Sequence, residues 1–290
     1  MMIRRSFAAI AALGLLALAG CSSDDPAAPA ASTLATAEKD AAAQVAADLA
    51  EDQGGLVDQL GDAVLFAGGF DPALKTADPV CDGLREADYD STTGTWTITI
   101  ERERGFPDGT PYHAFTRVFT VRYLDADGLA QMHYFSPDSV PASTIEFAIL
   151  SGTGVHRTLR LDRQLLSLEA SFVITNADSE YVTVNGTYDR AASADFTNPR
   201  FERTHDSTLH LELVDVMAPR RPTRDLADAV SGTVNGVYDA TITVTRGDDY
   251  REQEIHREFS ITLGGDGECG LHMGGHLYRA RLRTGELIDE

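Results

Sequence analysis

From Val230 to Val244 the chain alternates, with Val230, Gly232, Val234, Gly236, Tyr238, Ala240, Ile242 and Val244 on one parity and mostly Ser, Thr, Asn and Asp on the other. A two-residue period is the mark of a strand with one buried and one wet face. Asn235-Gly236 has the composition of a two-residue hairpin turn. A reversal there would, however, send Tyr238 and Ile242 to the side opposite Val230 and Val234. A continuous strand keeps the apolar set together, so Gly236 reads as an interior glycine that admits a bend or a close neighbour.

The same alternation fills most of the chain beyond residue 95. It appears in Trp96, Ile98 and Ile100, then in Phe115, Phe119, Val121 and Tyr123, a face interrupted by Arg117. After a turn at Asp125 to Gly128 come Ala130, Met132 and Tyr134, then Ile145, Phe147 and Ile149. A turn at Ser151-Gly152-Thr153-Gly154 leads to Val155, Leu159 and Leu161. Leu166, Leu168, Ala170, Phe172 and Ile174 form a regular strand, as do Leu209, Leu211 and Leu213, and Ile255, Phe259, Ile261 and Leu263. Thr183-Val184-Asn185-Gly186-Thr187-Tyr188-Asp189 recurs as Thr233 to Asp239. The recurrence reads as a strand-bend device whose tyrosine enters the core beside the glycine. A fainter copy, His272 to Tyr278, changes phase once and predicts a β-bulge near Gly275.

Ahead of the strands the period changes. Ala41, Val45 and Leu49 recur at four-residue spacing and predict a helix from Leu34 to about Gln53. Leu56, Leu60 and Val64 predict a second, better-packing helix ending near Phe66. Asp71 to Asp90 lacks a sustained period and reads as a crossing loop, and Met217 to Asp228 as an exposed one. The expected fold is mainly β: an antiparallel meander of about eleven strands, too wide to stay flat, curled into a barrel or half-barrel with one or two short N-terminal helices covering it.

Residues 1–20 place Arg4 and Arg5 before an apolar run from Phe7 to Ala19, the pattern of a secretory signal. Leu18-Ala19-Gly20-Cys21 resembles the lipobox of bacterial lipoproteins. The resemblance implies cleavage before Cys21, lipidation of that cysteine and a cell-envelope location. Ser22 at the next position favours the outer membrane. Residues 21–33 read as a flexible tether, 34–69 as the helical segment and 70–290 as the β domain.

Charge narrows the partners. Without residues 1–20 the chain has 22 basic against 45 acidic residues, a net of −23. Its field repels both nucleic acid and bare anionic lipid, and leaves the membrane to be reached through the lipid anchor. With Cys21 committed to lipid, Cys81 and Cys269 are the two remaining cysteines, and in an oxidising compartment they are expected to pair. His272 and His276, with Cys269, have metal-ligand character. On an extended strand the two histidines would sit roughly 13 Å apart, so no metal and no cofactor is expected. The acidic turns at Asp88 to Asp90, Asp125 to Gly128 and Gly265 to Glu268 lack the ligand spacing of a calcium loop. No nucleophile elbow, Cys-x-x-Cys, phosphate loop or His-Glu-x-x-His is present, and the scattered histidines mostly fall on polar strand positions. The chain thus reads as a non-enzymatic envelope lipoprotein. Either its curled sheet holds a hydrophobic small molecule, or its core is filled and it contacts another envelope protein. The ligand-binding residues are not legible.

Overall fold

The structure, a computed structural model, describes residues 29–72, 84–220 and 226–288. Cys21 and Cys81 lie outside these residues.

Period-two patterning gives strands over most of the stretches that carry it. Among the described residues thirteen strands form one antiparallel sheet: β1 (Leu84–Asp90), β2 (Thr95–Arg104), β3 (Tyr112–Leu124), β4 (Ala130–Gln131), β5 (Thr144–Arg157), β6 (Leu161–Thr175), β7 (Tyr181–Asn198), β8 (Phe201–Pro219), β9 (Ser231–Arg246), β10 (Asp249–Gly264), β11 (Glu268–Met273), β12 (His276–Arg281) and β13 (Leu287–Ile288). Neighbours in sequence are neighbours in space, except that the two-residue β4 pairs only with β3. β9 is continuous through Asn235-Gly236. A Cβ on Gly236 would stand 2.5 Å from the Phe259 ring and 2.6 Å from Leu211, so the glycine marks a close approach. Tyr188 and Tyr238, the tyrosines of the repeat, are fully buried.

Several expectations are corrected. β1 occupies part of the stretch read as a crossing loop, because its Leu84 to Asp90 pair in register with Thr95 to Glu101. β5 runs straight through Ser151 to Gly154, where a turn was expected, since these residues pair with β3; the reversal falls at 158–160 and leaves Leu159 exposed. β8 extends to Pro219, and Leu226 and Ala227 beyond it are buried in a 3-10 turn. The bulge expected near Gly275 is a hairpin turn. Gly274 and Gly275 adopt φ of 58° and 82°, and Met273 pairs with His276. A two-residue reversal also keeps its flanking residues on one face, which produces the phase change seen in the sequence.

Two helices lie on the apolar face, α1 (Pro29–Leu49) and α2 (Leu56–Ala67). α1 starts at Pro29, inside the stretch expected as tether. Its stripe of Ala41, Val45 and Leu49 is as completely buried as Leu56, Leu60 and Val64 of α2, so both helices pack. Each fully buried Leu, Val or Phe contributes about 1.5–3 kcal/mol, enough to make this apolar contact the main force holding the helices in place. The turn between them is tight: a Cβ on Gly55 would lie 2.3 Å from the Asp48 carbonyl. Neither helix is long and apolar enough to cross a membrane.

The sheet has two ends. The hairpin tips at 105–111, 158–160, 199–200 and 247–248 form the near end, and the turns at 91–94, 125–143, 176–180 and 265–267 form the far end. Toward the far end the covered face carries Ile98, Phe119, Val121, Tyr123, Ile145, Phe147, Phe172 and Ile174, all buried. Phe66 of α2 packs on Phe119 and Phe147, and Phe147 stacks on Phe172. Toward the near end that face changes character.

Candidate functional site

The change is made by two β-bulges. β5 loses register between its partners Val118 and Phe119, with Leu150 as the extra residue, and β6 does so between Leu165 and Ser167, with Leu166 extra. Both extra leucines are exposed, which corrects the assignment of Leu166 to the apolar face. Since a strand's faces alternate, one inserted residue exchanges them. Beyond the bulges Gly152, Gly154 and His156 of β5 and Leu165, Arg163 and Leu161 of β6 take the inward parity. Small residues and a cation thus replace the large apolar groups that an uninterrupted phase would continue.

Arginines in phase with the buried residues of other strands join them. Arg102 continues the row of Trp96, Ile98 and Ile100; Arg117 lies between Phe115 and Phe119; Arg190 follows Tyr188. Their counter-charges come from the helices. Arg117 Nη1 donates to Asp62 at 2.5 Å and lies 3.7 Å from Asp58. Asp48, almost wholly buried on α1, receives Arg163 Nη2 at 2.7 Å and Gln44 Nε2 at 3.1 Å, and lies 3.5 Å from Arg190 Nε. Farther along α1, Asp40 faces Arg203 at 3.7 Å and Glu38 faces Arg257 at 3.2 Å. A buried ion pair roughly offsets its own desolvation, so these pairs fix where the helices sit more than how tightly they hold.

A cavity of about 620 Å³ remains between the α1–α2 turn, α2 and strands β2, β3, β5, β6 and β7. Its apolar wall includes Leu65, Phe66, Phe70, Ile100, Phe115 and Phe119, and its polar wall sets Arg102, Arg117, Arg163 and Arg190 against Glu51, Asp52, Asp58 and Asp62, with His113 and His156. The guanidinium carbons of Arg102 and Arg117 both lie 5.5 Å from the Phe115 ring centre, so two cations share one aromatic ring. His113 and His156 face each other across β3 and β5 with ring centres 5.7 Å apart. A shallower recess of about 890 Å³ shares Arg102, Phe115, Gly154 and Leu165 with the cavity and is also lined by Glu103 and Tyr112.

Electrostatics follow from depth. Asp58 is raised from the usual carboxylate range to about 7, first by loss of solvation and next by the neighbouring Asp62 charge, with Arg117 opposing. Asp62 is raised too, again by desolvation and against Arg117. Both are ringed by protein, yet their side chains keep 40% and 24% of their surface open, because that surface faces the cavity. His113 is held below its ordinary value by burial, then by the charge of His156 and nearby arginines. Near neutral pH the polar wall therefore offers guanidinium groups beside a carboxyl that shares its proton with solvent.

The residues singled out in the sequence fall elsewhere. Cys269 is a free thiol buried on β11, its pKa pushed up to about 12 by desolvation, and no disulfide occurs among the described residues. The expected partner Cys81 and the lipidation position Cys21 lie outside them. Cys269 and His272 point to opposite faces of β11, His276 stands exposed at the start of β12, and no cluster of three metal-ligating side chains occurs among the described residues. Asp90, Asp125 and Asp266 each accept hydrogen bonds from backbone N–H groups of their own turns. On the outer face the repeat's Asp189 and Asp239 pair with His210 and His256 of adjacent strands. His205 departs from the expected polar face: it is half-buried against the Tyr238 hydroxyl, and burial lowers its pKa.

No protein-family model, curated protein or solved structure matches the chain.

Proposed function

We propose that this chain is a lipid-anchored protein of the outer membrane whose sheet is an open half-barrel, and that it binds one small amphiphile at the near end. The observation that carries the reading is the cavity of about 620 Å³ with an aromatic wall on one side and arginines interspersed with carboxylates on the other. Its volume falls within the range of small-molecule sites, and its mixture of apolar lining with a few convergent polar groups is the usual composition of such sites. An aliphatic or aromatic body fits against Phe66, Phe70 and Phe119, and an anionic or hydrogen-bonding head fits against Arg102 and Arg117. The lipobox at Leu18 to Cys21 supports the anchor and the location. A half-barrel is favoured over a closed barrel because β1 and β13 stand at opposite ends of the strand order, with no pairing between them.

The alternative, an interaction protein with a filled core, describes the far end well. There Gly186 and Gly236 make room for Ser171, Phe172, Leu211 and Phe259 and leave no space for a ligand. It gives no account of the near-end cavity. We assign no catalytic step: Asp58 and Asp62 are engaged with Arg117, and the reading needs only their polarity.

The test is titration with anilinonaphthalene sulfonate, a probe with an aromatic body and an anionic head, followed by fluorescence. One saturable site is expected, abolished by Leu165→Trp, which places an indole in the cavity from β6. Equal binding by the variant would overturn the reading.

A further inference from the structure

Three neighbouring hairpin tips close the ends of strands β2, β3, β5, β6 and β7, which line this cavity. The β2–β3 tip carries Phe106 and the β5–β6 tip carries Leu159, which are 81% and 90% exposed, the two most exposed of the large hydrophobic side chains among the described residues. The tips are tied together: Arg157 Nη1 donates to the Pro107 carbonyl at 2.8 Å, and the Thr197 N–H donates to the Arg160 carbonyl at 2.9 Å. The third tip, β7–β8, adds the paired rings of Phe196 and Phe201, 5.7 Å apart. Leaving side chains of this size in water at the ends of braced loops forgoes the free energy that burial would return.

Charge distinguishes these three tips. The three tips carry Arg104, Arg157, Arg160, Arg200 and Arg203 against Asp108, Asp162 and Glu202. Of the far-end connections, those at 125–143, 176–180 and 264–268 carry acids, among them Asp125, Asp178 and Asp266, and no lysine or arginine, whereas the β8–β9 and β12–β13 connections bring Arg220, Arg221, Arg224 and Arg283. The fourth near-end tip, at 247–248, sets Asp248 and Asp249 beside Arg246, so in a chain with a net charge of −21 the local excess of base belongs to these three tips, and an anionic surface would orient the molecule by them. Chain length agrees. The eight residues from Cys21 to Ala28 span at most roughly 28 Å. α1, which follows, is held by Asp40 to Arg203, just inside the β7–β8 tip.

We infer that the near-end tips form a membrane-contacting rim, with Phe106 and Leu159 entering the interface of an anionic bilayer and the arginines meeting its headgroups. The cavity then lies beside the lipid surface from which an amphiphile would enter. This deepens the proposed function and rests on it for the role of the cavity, while the rim itself is measurable alone.

The experiment is sedimentation of the mature chain carrying Cys21→Ser with vesicles of phosphatidylethanolamine and phosphatidylglycerol, beside vesicles of phosphatidylcholine. Binding to the anionic vesicles is expected. Phe106→Ser with Leu159→Ser should weaken it at least tenfold, and Arg160→Gln with Arg200→Gln should weaken it on anionic vesicles alone. The far-end pair Phe135→Ser with Val140→Ser should leave it unchanged, as should Leu165→Trp, so a failure of the rim is told apart from a failure of the cavity. Absence of binding, or equal losses from near-end and far-end pairs, would overturn the inference. Circular dichroism checks that each loop variant is folded.

Discussion

The two ends of this interior use the same strands for opposite purposes. Toward the far end, β3, β5 and β6 fill the space under α2 with Phe119, Phe147, Phe172 and Ile174, and buried hydroxyl and indole groups find backbone partners. Tyr123 donates to the Phe70 carbonyl, Tyr134 to that of Ala177 and Trp96 to that of Met132. Toward the near end, the same three strands present Arg117, Gly154, His156 and Arg163 around a cavity. Two extra residues, Leu150 and Leu166, separate the regimes in β5 and β6 by turning the faces of those two strands over, while β3 keeps its phase and changes residue type. Stability is concentrated where packing is complete, and the hollow end is held in shape by charge.

This contrast is most open to attack through packing. Phe147→Ala removes a ring buried against Phe66, Phe119 and Phe172 and should destabilise the protein by about 4 kcal/mol in urea titration. Phe115→Ala, at the cavity wall, should cost only about 1 kcal/mol. Equal losses would mean that the near end is packed like the far one. Next in size is Asp48→Ala, which strands Arg190 and Arg163 without their shared carboxylate. The expected loss is about 3 kcal/mol, with Asp48→Asn losing less.

A smaller effect follows from Asp58. Its carboxyl titrates near 7 in the folded protein and near 3.9 in the unfolded chain. Between those values the folded state holds a proton that the unfolded state has released, so this group's contribution to stability falls as pH rises from about 4 to 7. The lowered His113 and His205 act in the opposite sense, losing stability as pH falls through 6.5 and below. Comparison with Asp58→Asn cancels them. The variant should be more stable than the parent at pH 8 and close to it at pH 5, by thermal unfolding. The difference should be modest because the carboxyl faces the cavity. The smallest effect belongs to Leu165→Trp, which should shift stability by less than about 1 kcal/mol while closing the cavity.

Much of this fold was legible because its cause is local. Alternation fixes strands and their faces, and parity settled Asn235-Gly236 against the composition of the pair. Gly274-Gly275 misled for the complementary reason: a two-residue hairpin and a single inserted residue both shift the apparent phase, and only strand pairing tells them apart. β1 was missed because Leu84 to Asp90 is an edge strand with little apolar patterning of its own; its order comes from β2. The site was partly visible. Arg117 stood out as an interruption, while Arg102, Arg163 and Arg190 were passed over. A charge on the buried parity of a strand, together with Asp58 and Asp62 one turn apart on a helix, is the signal that could have found it. That Asp48 answers Arg190 across 142 positions is set by tertiary packing, which no window of sequence contains.

The measurement that bears most directly on the two-ended account is native mass spectrometry of the protein gently extracted from its own membranes, read beside Leu165→Trp prepared in the same way. The account predicts one co-purifying small amphiphile at one copy per chain in the parent and none in the variant. An empty parent under conditions that keep it folded, or the same bound mass in both, would contradict it.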